Sequence, residues 1–150
     1  MPNETADDFI IAAELDMEVL ESLKYFDFKS ANMSCFHAQQ YAEKMIKAKL
    51  IQMGIQPLRS HDLVRLLDGL EDLSDFDTIA EYCSILSNYE AQVRYPSDRM
   101  LILSPEDAEL AYEMASEIPY LLGIYRRDKV SIVKNRKKRT FFSRFRFKRR

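Results

Sequence analysis

Apolar residues recur along most of the chain at steps of three and four positions, the spacing that places them on one face of an α-helix. Three such stripes are Ile10, Ala13, Met17 and Leu20; Cys35, Ala42, Ile46, Leu50 and Met53; and Ile79, Tyr82, Leu86 and Tyr89. Together with the start and stop signals below, the pattern predicts helices over residues 7–26, 31–53, 61–71, 75–93 and 104–125.

Three of the predicted helix starts share one signal, a hydroxyl residue followed three positions later by an aspartate that can cap the free backbone amides. These pairs are Thr5 with Asp8, Ser74 with Asp77, and Ser104 with Asp107. Pro105 strengthens the last pair, because proline in the first turn gives up a hydrogen bond that no helix makes there. Ser60 is a weaker cap for the third helix.

Glycine and proline mark the helix ends. Gly54 and the following Pro57 end the second helix, Pro96 closes the fourth, and Pro119 should kink or stop the fifth near Ile118. Short connections force neighbouring helices to run antiparallel. The predicted fold is therefore all-α, an up-and-down antiparallel bundle of four to five helices.

Composition agrees with a single helical domain. The chain has 150 residues with only three glycines and no tryptophan, which argues against a sandwich, a barrel or a collagen-like chain. Cys35 and Cys83 have no metal-like spacing, so buried thiols are expected. No apolar stretch is long enough for a membrane span and the acidic start lacks the order of a secretory signal, so we expect a cytoplasmic protein.

Charge divides the chain into two parts. Residues 1–125 carry 9 Lys and Arg against 23 Asp and Glu, a net charge of −14, whereas residues 126–150 carry 13 against one, a net charge of +12. We interpret this as a helical domain over 1–125 with a basic, aromatic C-terminal tail over 126–150. The tail either contacts nucleic acid, lies on an anionic membrane surface, stays disordered, or docks on its own domain or a dimer mate.

The second helix carries the main candidate chemistry. Four polar residues fall within an arc of about 80° opposite its apolar stripe, namely His37, Gln40, Lys44 and Lys47. Such a face could grip a phosphate or a nucleotide edge; periodicity alone favours an ordinary solvated face. Gln39 instead falls among the apolar residues, so its amide must bond a neighbouring helix or a partner subunit.

Two further places offer candidate side chains. His61 begins the third predicted helix beside Asp62, where a capping or interhelical hydrogen bond is a simpler role than catalysis. Arg94, Tyr95 and Arg99 surround the turn that closes the fourth helix, where arginines suit either phosphate recognition or salt bridges with surface acids. We find no glycine-rich phosphate loop, no metal-spaced acids and no Ser–His–acid set, so neither a metal nor a cofactor is predicted.

Taken in order, these segments resemble a HEPN domain over about residues 7–122. The likeness rests on Phe36-His37-Ala38-Gln39-Gln40-Tyr41-Ala42-Glu43-Lys44 with Lys47, then Gly54, Pro57 and Ser60-His61-Asp62-Leu63, then Arg94-Tyr95-Pro96, and Ser104-Pro105-Glu106-Asp107-Ala108. The resemblance implies a helical bundle, frequent homodimers, and binding of nucleotides or RNA. It also implies a minimal nucleotidyltransferase as partner, as in toxin–antitoxin pairs.

The sequence departs from the nucleolytic branch of that family. Many HEPN proteins are metal-independent ribonucleases with about four to six residues between an arginine and a histidine near a helix end. Here Arg94 is the candidate arginine, but Arg99, Met100 and Leu101 occupy the positions for the histidine, and no histidine follows His61. Arginine stays charged and cannot take the 2′-hydroxyl proton, so the non-nucleolytic interpretation is favoured.

Three hypotheses therefore stand. The first is a nucleotide- or RNA-binding module, with binding candidates His37, Gln40, Lys44, Lys47, His61, Arg94, Tyr95 and Arg99. The second is a degenerate ribonuclease that uses His37 or His61 with Arg94 from a dimer interface. The third is a structural module whose polar face pairs with another protein.

Overall fold

A computed structural model describes residues 3–23, 27–90 and 102–126, and all regular secondary structure within these ranges is helical. The helices are α1 (Ala6–Ser22), α2 (Ala31–Gln52), α3 (Leu63–Leu66), α4 (Phe76–Leu86) and α5 (Pro105–Leu121), and a 3-10 turn over Ser87–Tyr89 continues α4. The predicted all-α bundle is confirmed.

Helix α2 lies at the centre of this bundle. It packs against α1 on one side and α5 on the other. Twelve of its 22 residues are buried, among them polar Ser34, Gln39 and Glu43, so α2 lacks a broad solvated side. Its polar residues must therefore find partners inside the protein.

Contacts between the ends of α2 and α5 show their relative direction. The amide of Leu103, just before α5, donates to Asn32 Oδ1 at the start of α2 (3.0 Å). Gly123, just after α5, lies beside the Lys49 side chain near the end of α2. Helices α2 and α5 thus run in the same direction, as the diagonal members of an up-and-down bundle do.

The predicted apolar stripes form most of the core. Their buried members include Ala13 and Leu20 on α1, Cys35, Ala42, Ile46 and Leu50 on α2, and Ile79, Tyr82, Leu86 and Tyr89 on α4 and its turn. Met53 is the exception: it lies just beyond the end of α2 and is exposed. Gly54 follows with a φ of 77°, the left-handed conformation that ends a helix and favours glycine.

Two of the three predicted capping boxes are present. At α1, the Thr5 hydroxyl accepts from the Asp8 amide at 3.2 Å, and the Asp8 carboxylate accepts from the Thr5 amide at 2.8 Å. At α5, Ser104 and Asp107 form the same reciprocal pair, with Pro105 in the first position. These helices therefore begin where the sequence predicts.

The caps predicted for α4 and α3 are wrong, although each helix begins within two residues of its predicted start. Helix α4 begins at Phe76 after Asp75, and no side-chain bond caps it, so Ser74 is not its cap. Helix α3 begins at Leu63, and its cap is Asp62, whose side chain accepts from the amides of Val64 and Arg65. Aspartate caps a helix as well as serine does, so Asp62 takes the place predicted for Ser60 at α3.

We predict that Ser104→Ala lowers the free energy of unfolding by about 1 kcal/mol, because the substitution leaves amides at the start of α5 without their cap. Ser74→Ala is the matched control. Since Ser74 caps nothing in the structure, its loss should change stability by less than about 0.5 kcal/mol. Urea denaturation of both variants measures the difference; equal effects would contradict these helix starts.

Several helix ends differ from the prediction. Helix α3 is one turn, ending at Leu66 rather than near residue 71, and Gly69 follows with a φ of 96°. Helix α5 passes through Pro119 and ends at Leu121. The helix ends two residues beyond Pro119, and the Pro119 carbonyl accepts from the Ile124 and Tyr125 amides that follow. Residues 24–26 and 91–93, predicted as helix, lie outside the described ranges.

Both cysteines are buried free thiols, as predicted. Burial raises the pKa of each thiol to about 12, with the Asp107 charge a smaller cause at Cys35. Neither thiol is therefore ionised near neutral pH. Within the described part of the chain, none of the helices combines the length and the apolar character needed to cross a bilayer.

Candidate functional site

The polar residues of α2 fall into two networks, each centred on a buried carboxylate. The first carboxylate is Asp16 on α1. It accepts from His37 Nδ1 at 2.9 Å and from Lys44 Nζ. Two of the four predicted residues on the α2 face are thus fastened to α1 through a single acid.

The second network surrounds Glu43, on α2 itself. Its carboxylate accepts from Lys47 Nζ at 2.8 Å, from His61 Nδ1 at 3.1 Å and from Gln39 Nε2 at 3.2 Å. The Gln39 amide also donates to the backbone carbonyl of His61 at 3.0 Å. These contacts attach the connection between α2 and α3 to the middle of α2.

Gln39 is fully buried, as predicted, but its amide bonds Glu43 on the same helix and the His61 carbonyl in the α2–α3 connection rather than a neighbouring helix. Its carbonyl oxygen accepts from Gln40 Nε2 at 2.7 Å. Gln40 is therefore linked to the Glu43 network through Gln39.

The expected solvated face on α2 is not present. The side chains of His37, Lys44 and Lys47 are only 19%, 27% and 13% exposed, and each contacts a carboxylate. The physical reason is the central position of α2, whose polar arc faces α1 and the α2–α3 connection rather than water. Each lysine charge is offset by an acid, so these residues do not form an uncompensated cationic face.

The carboxylates also orient the two imidazoles. Because an ionised carboxylate only accepts hydrogen bonds, Nδ1 of His37 and of His61 carries the proton in each pair. In the neutral ring, Nε2 is then the nitrogen that can accept a proton or a hydrogen bond. His61 is the more accessible of the two, with 64% of its side chain exposed.

His61 and Lys47 line a cavity of about 490 Å³, which we name the Lys47–His61 pocket. Its walls come from α2, from the connection before α3 and from the start of α1. The lining residues are Asn3, Glu4, Phe9, Lys47, Gln56, Pro57, Leu58, Arg59, Ser60 and His61. The pocket therefore brings together one predicted pair, Lys47 and His61, with a third basic residue, Arg59.

His61 also borders a second, more open groove on its other side. This groove has a volume of about 470 Å³ and lies between the start of α3 and the end of α4. Its other lining residues are Asp62, Val64, Ser84, Ser87, Asn88 and Glu90. No basic side chain other than His61 lines it within the described ranges, so it is less suited to an anion than the Lys47–His61 pocket.

The other described candidates, His37, Gln40 and Lys44, do not line this pocket. His37 and Lys44 belong to the Asp16 network, and Arg94, Tyr95 and Arg99 lie outside the described residues. Their role in binding stays a prediction. Among the residues that the structure describes, no three His, Cys, Asp or Glu side chains are grouped to hold a metal ion.

Three residues of these networks and of the pocket were not predicted from the sequence: Asp16, Glu43 and Arg59. Asp16 lies between Ala13 and Leu20 on the apolar face of α1, where an acid signals a buried ion pair. Glu43 stands four residues before Lys47, the spacing of an intrahelical ion pair. Arg59 follows Pro57 in the connection before His61, and nothing in its local sequence predicts that it lines the same cavity as Lys47.

Fold and site together define an all-α domain built on a central helix, with a partly basic pocket at one end. The family model of the HEPN domain matches residues 4–124, and the chain therefore belongs to the HEPN domain family. None of the curated proteins matches this sequence.

Two solved structures have a similar fold. One is TT1696 from Thermus thermophilus, with a TM-score of 0.67 and 23% sequence identity, covering 79% of this chain and 95% of that one. The other is ST0689, described as an archaeal HEPN homologue, with a TM-score of 0.63 and 23% identity, covering 81% and 97%. At this level of identity the similarity shows the fold alone.

Proposed function

We propose that this HEPN domain is a binding module for a nucleotide or an RNA strand, which it holds by a phosphate group in the Lys47–His61 pocket. The proposal is carried by one observation: Lys47, Arg59 and His61, from two separate segments, line the same cavity. A volume of about 490 Å³ lies within the range of small-ligand sites. Membership of the HEPN family also supports a ligand of this class.

The three basic side chains contribute differently. Glu43 offsets the charge of Lys47 and holds its amine in place. Arg59 is exposed and forms no ion pair among the described residues, so it supplies the uncompensated charge. Its planar guanidinium suits two oxygens of one phosphate. His61 adds a second directed donor when its ring is protonated.

The rest of the pocket suits the nucleoside. Phe9 and Pro57 provide apolar surface against which a base can stack. Glu4 accepts hydrogen bonds only, so it suits ribose hydroxyls or an exocyclic amine rather than a phosphate. In the proposed complex Arg59 holds the phosphate and Phe9 stacks on the base.

Binding of labelled AMP and of a short single-stranded RNA, measured by fluorescence anisotropy, tests this proposal. We predict that Arg59→Ala raises the dissociation constant about tenfold, the effect of losing one charge-assisted contact of about 1.5 kcal/mol. Arg65→Ala is the matched control, because Arg65 is also exposed but does not line the pocket.

In that experiment, the control should bind within about twofold of the wild type. Equal losses in the two arginine variants would show general attraction of anions to the surface and contradict a site at the pocket. So would the absence of saturable binding by the wild type to either ligand.

A second candidate function, metal-independent RNA cleavage, is favoured by the contact between His61 and Glu43. An imidazole held by a carboxylate at Nδ1 presents Nε2 for proton transfer. Incubation of the protein with RNA in EDTA tests it. Cleavage that His61→Ala abolishes and His37→Ala leaves intact would establish this function, whereas uncut RNA would remove it.

The homodimer, the nucleotidyltransferase partner and the toxin–antitoxin pairing remain predictions from the family resemblance. We propose that the domain works beside such an enzyme as an accessory subunit. Copurification of a nucleotidyltransferase in stoichiometric amount from the source cells would support this role, and purification of the chain alone would contradict it.

A further inference from the structure

The outer side of α1 carries an apolar pair that nothing in the described structure covers. Ile11 and Leu15 are 63% and 60% exposed and stand one helical turn apart. Asp7 and Glu18 are exposed one turn before and almost one turn after this pair. We name these four residues the α1 ridge. Large exposed aliphatic side chains in adjacent turns mark an interaction surface more often than isolated ones do.

The described chain ends beside the same helix. After α5, the Tyr125 hydroxyl donates to the Glu14 carboxylate on α1. Farther back along α5, the Tyr112 hydroxyl donates to Glu21, near the end of α1. Helix α5 therefore runs antiparallel to α1, and Arg126 follows directly after a residue fastened to the middle of α1.

The next part of the sequence is complementary to the α1 ridge in charge and in apolar character. Residues 127–150 contain 12 Lys and Arg against a single Asp. They also contain four phenylalanines, at positions 141, 142, 145 and 147. The ridge offers the opposite arrangement, two aliphatic side chains with carboxylates on both sides.

The chain is long enough to make this contact. Lys134, the first residue of the dense basic run, is eight residues beyond Arg126, and eight extended residues span up to about 26 Å. Helix α1, with 17 residues, is itself about 26 Å long. From its attachment near Glu14, the basic run can therefore reach either end of α1.

We propose that residues 134–150 dock on the α1 ridge of their own chain. In this arrangement phenylalanine rings cover Ile11 and Leu15, and Lys and Arg side chains pair with Asp7 and Glu18. Covalent attachment beside Glu14 raises the effective concentration of the segment at the ridge well above that of a separate chain. The ridge is outside the Lys47–His61 pocket, so this inference does not rest on the proposed function.

Cross-linking of the full-length chain tests the proposal. Ser22→Cys places a thiol at the end of α1, and Ser143→Cys places one in the tail. The control pairs Ser143→Cys with Ser84→Cys on α4. Ser22 and Ser84 are both exposed, and each hydroxyl donates to a carbonyl three residues earlier in its helix. Cys35 and Cys83 are buried and should not react with a short bismaleimide.

We expect the Ser22 pair to cross-link at least about fivefold faster than the Ser84 pair, reflecting the local concentration of the tail. Adding Ile11→Ser and Leu15→Ser should reduce it to the control rate, with circular dichroism confirming that the helices are retained. In a mixture of unlabelled and isotopically labelled chains, the linked peptides should carry matching labels.

Equal rates for the Ser22 and Ser84 pairs would overturn the proposal, because the tail would then have no preferred position. Linked peptides with mixed labels as often as matched ones would overturn it too, since the ridge would then bind a second copy. Retention of the fast cross-link after Ile11→Ser and Leu15→Ser would show that the ridge is not the docking surface.

Discussion

Replacing Glu43 with alanine is expected to lower the free energy of unfolding by about 3–5 kcal/mol, the cost of removing one partner from a buried ion pair. Glu43 accepts from Lys47, His61 and Gln39. Without it, the Lys47 ammonium stays in a mostly buried position and the buried Gln39 amide loses an acceptor. The loss should also release the connection that carries His61.

Urea denaturation measures this effect, and Glu109→Ala is the control because Glu109 is an exposed carboxylate on another helix. The control should change stability by less than about 0.5 kcal/mol. Combining Glu43→Leu with Lys47→Met should restore part of the loss, since an apolar pair leaves no unpaired charge. A Glu43→Ala protein as stable as the control would contradict the description of this network.

Glu117 is the opposite case. It is a buried carboxylate, and replacing it together with its hydrogen-bond partner should stabilise the protein. It lies on α5 and accepts from the Tyr82 hydroxyl on α4 at 2.8 Å. Its other oxygen has no hydrogen-bond partner, and Glu117 forms no ion pair among the described residues. Replacing both members with apolar groups of similar shape, as Tyr82→Phe with Glu117→Met, should raise the free energy of unfolding by about 1–3 kcal/mol.

The control for this pair is Tyr112→Phe, which removes the hydroxyl of a more exposed tyrosine–glutamate pair between α5 and α1. Its effect should stay within about 0.5 kcal/mol. Denaturation midpoints and slopes of the variants should be compared at neutral pH. A double variant that is less stable than the wild type would show that Glu117 makes a stabilising contribution that its contacts do not account for.

The helix predictions were most accurate for helices with a long apolar face, because burial of that face determines how the helix packs. Leu20, Ile46 and Ile79 are buried as their spacing predicts, because burying a continuous stripe outweighs the preferences of single residues. Short elements behave differently. Helix α3 has four residues, too few to fix its own start without tertiary packing. Ser74 matches a capping pattern but does not cap α4.

The site could be predicted only in part. Periodicity places His37, Lys44 and Lys47 on one arc of α2, but it cannot show whether that arc faces water or a neighbouring helix. The answer depends on α2 being packed between α1 and α5. Glu43 and Lys47 were predictable as a pair from their spacing, whereas the contact of Glu43 with His61, 18 residues away, depends on the path of the connection.

Chemical-shift mapping of the isotopically labelled protein, during titration with AMP and separately with a short single-stranded RNA, tests the proposal that a phosphate-bearing ligand enters the Lys47–His61 pocket. The predicted result is saturable change at the amides of Phe9, Lys47, Gln56 and residues 58–61, which needs about tenfold more ligand in Arg59→Ala and is unaltered in Arg65→Ala. Saturable change elsewhere with none at these amides, or no change at any ligand concentration, would contradict the proposal.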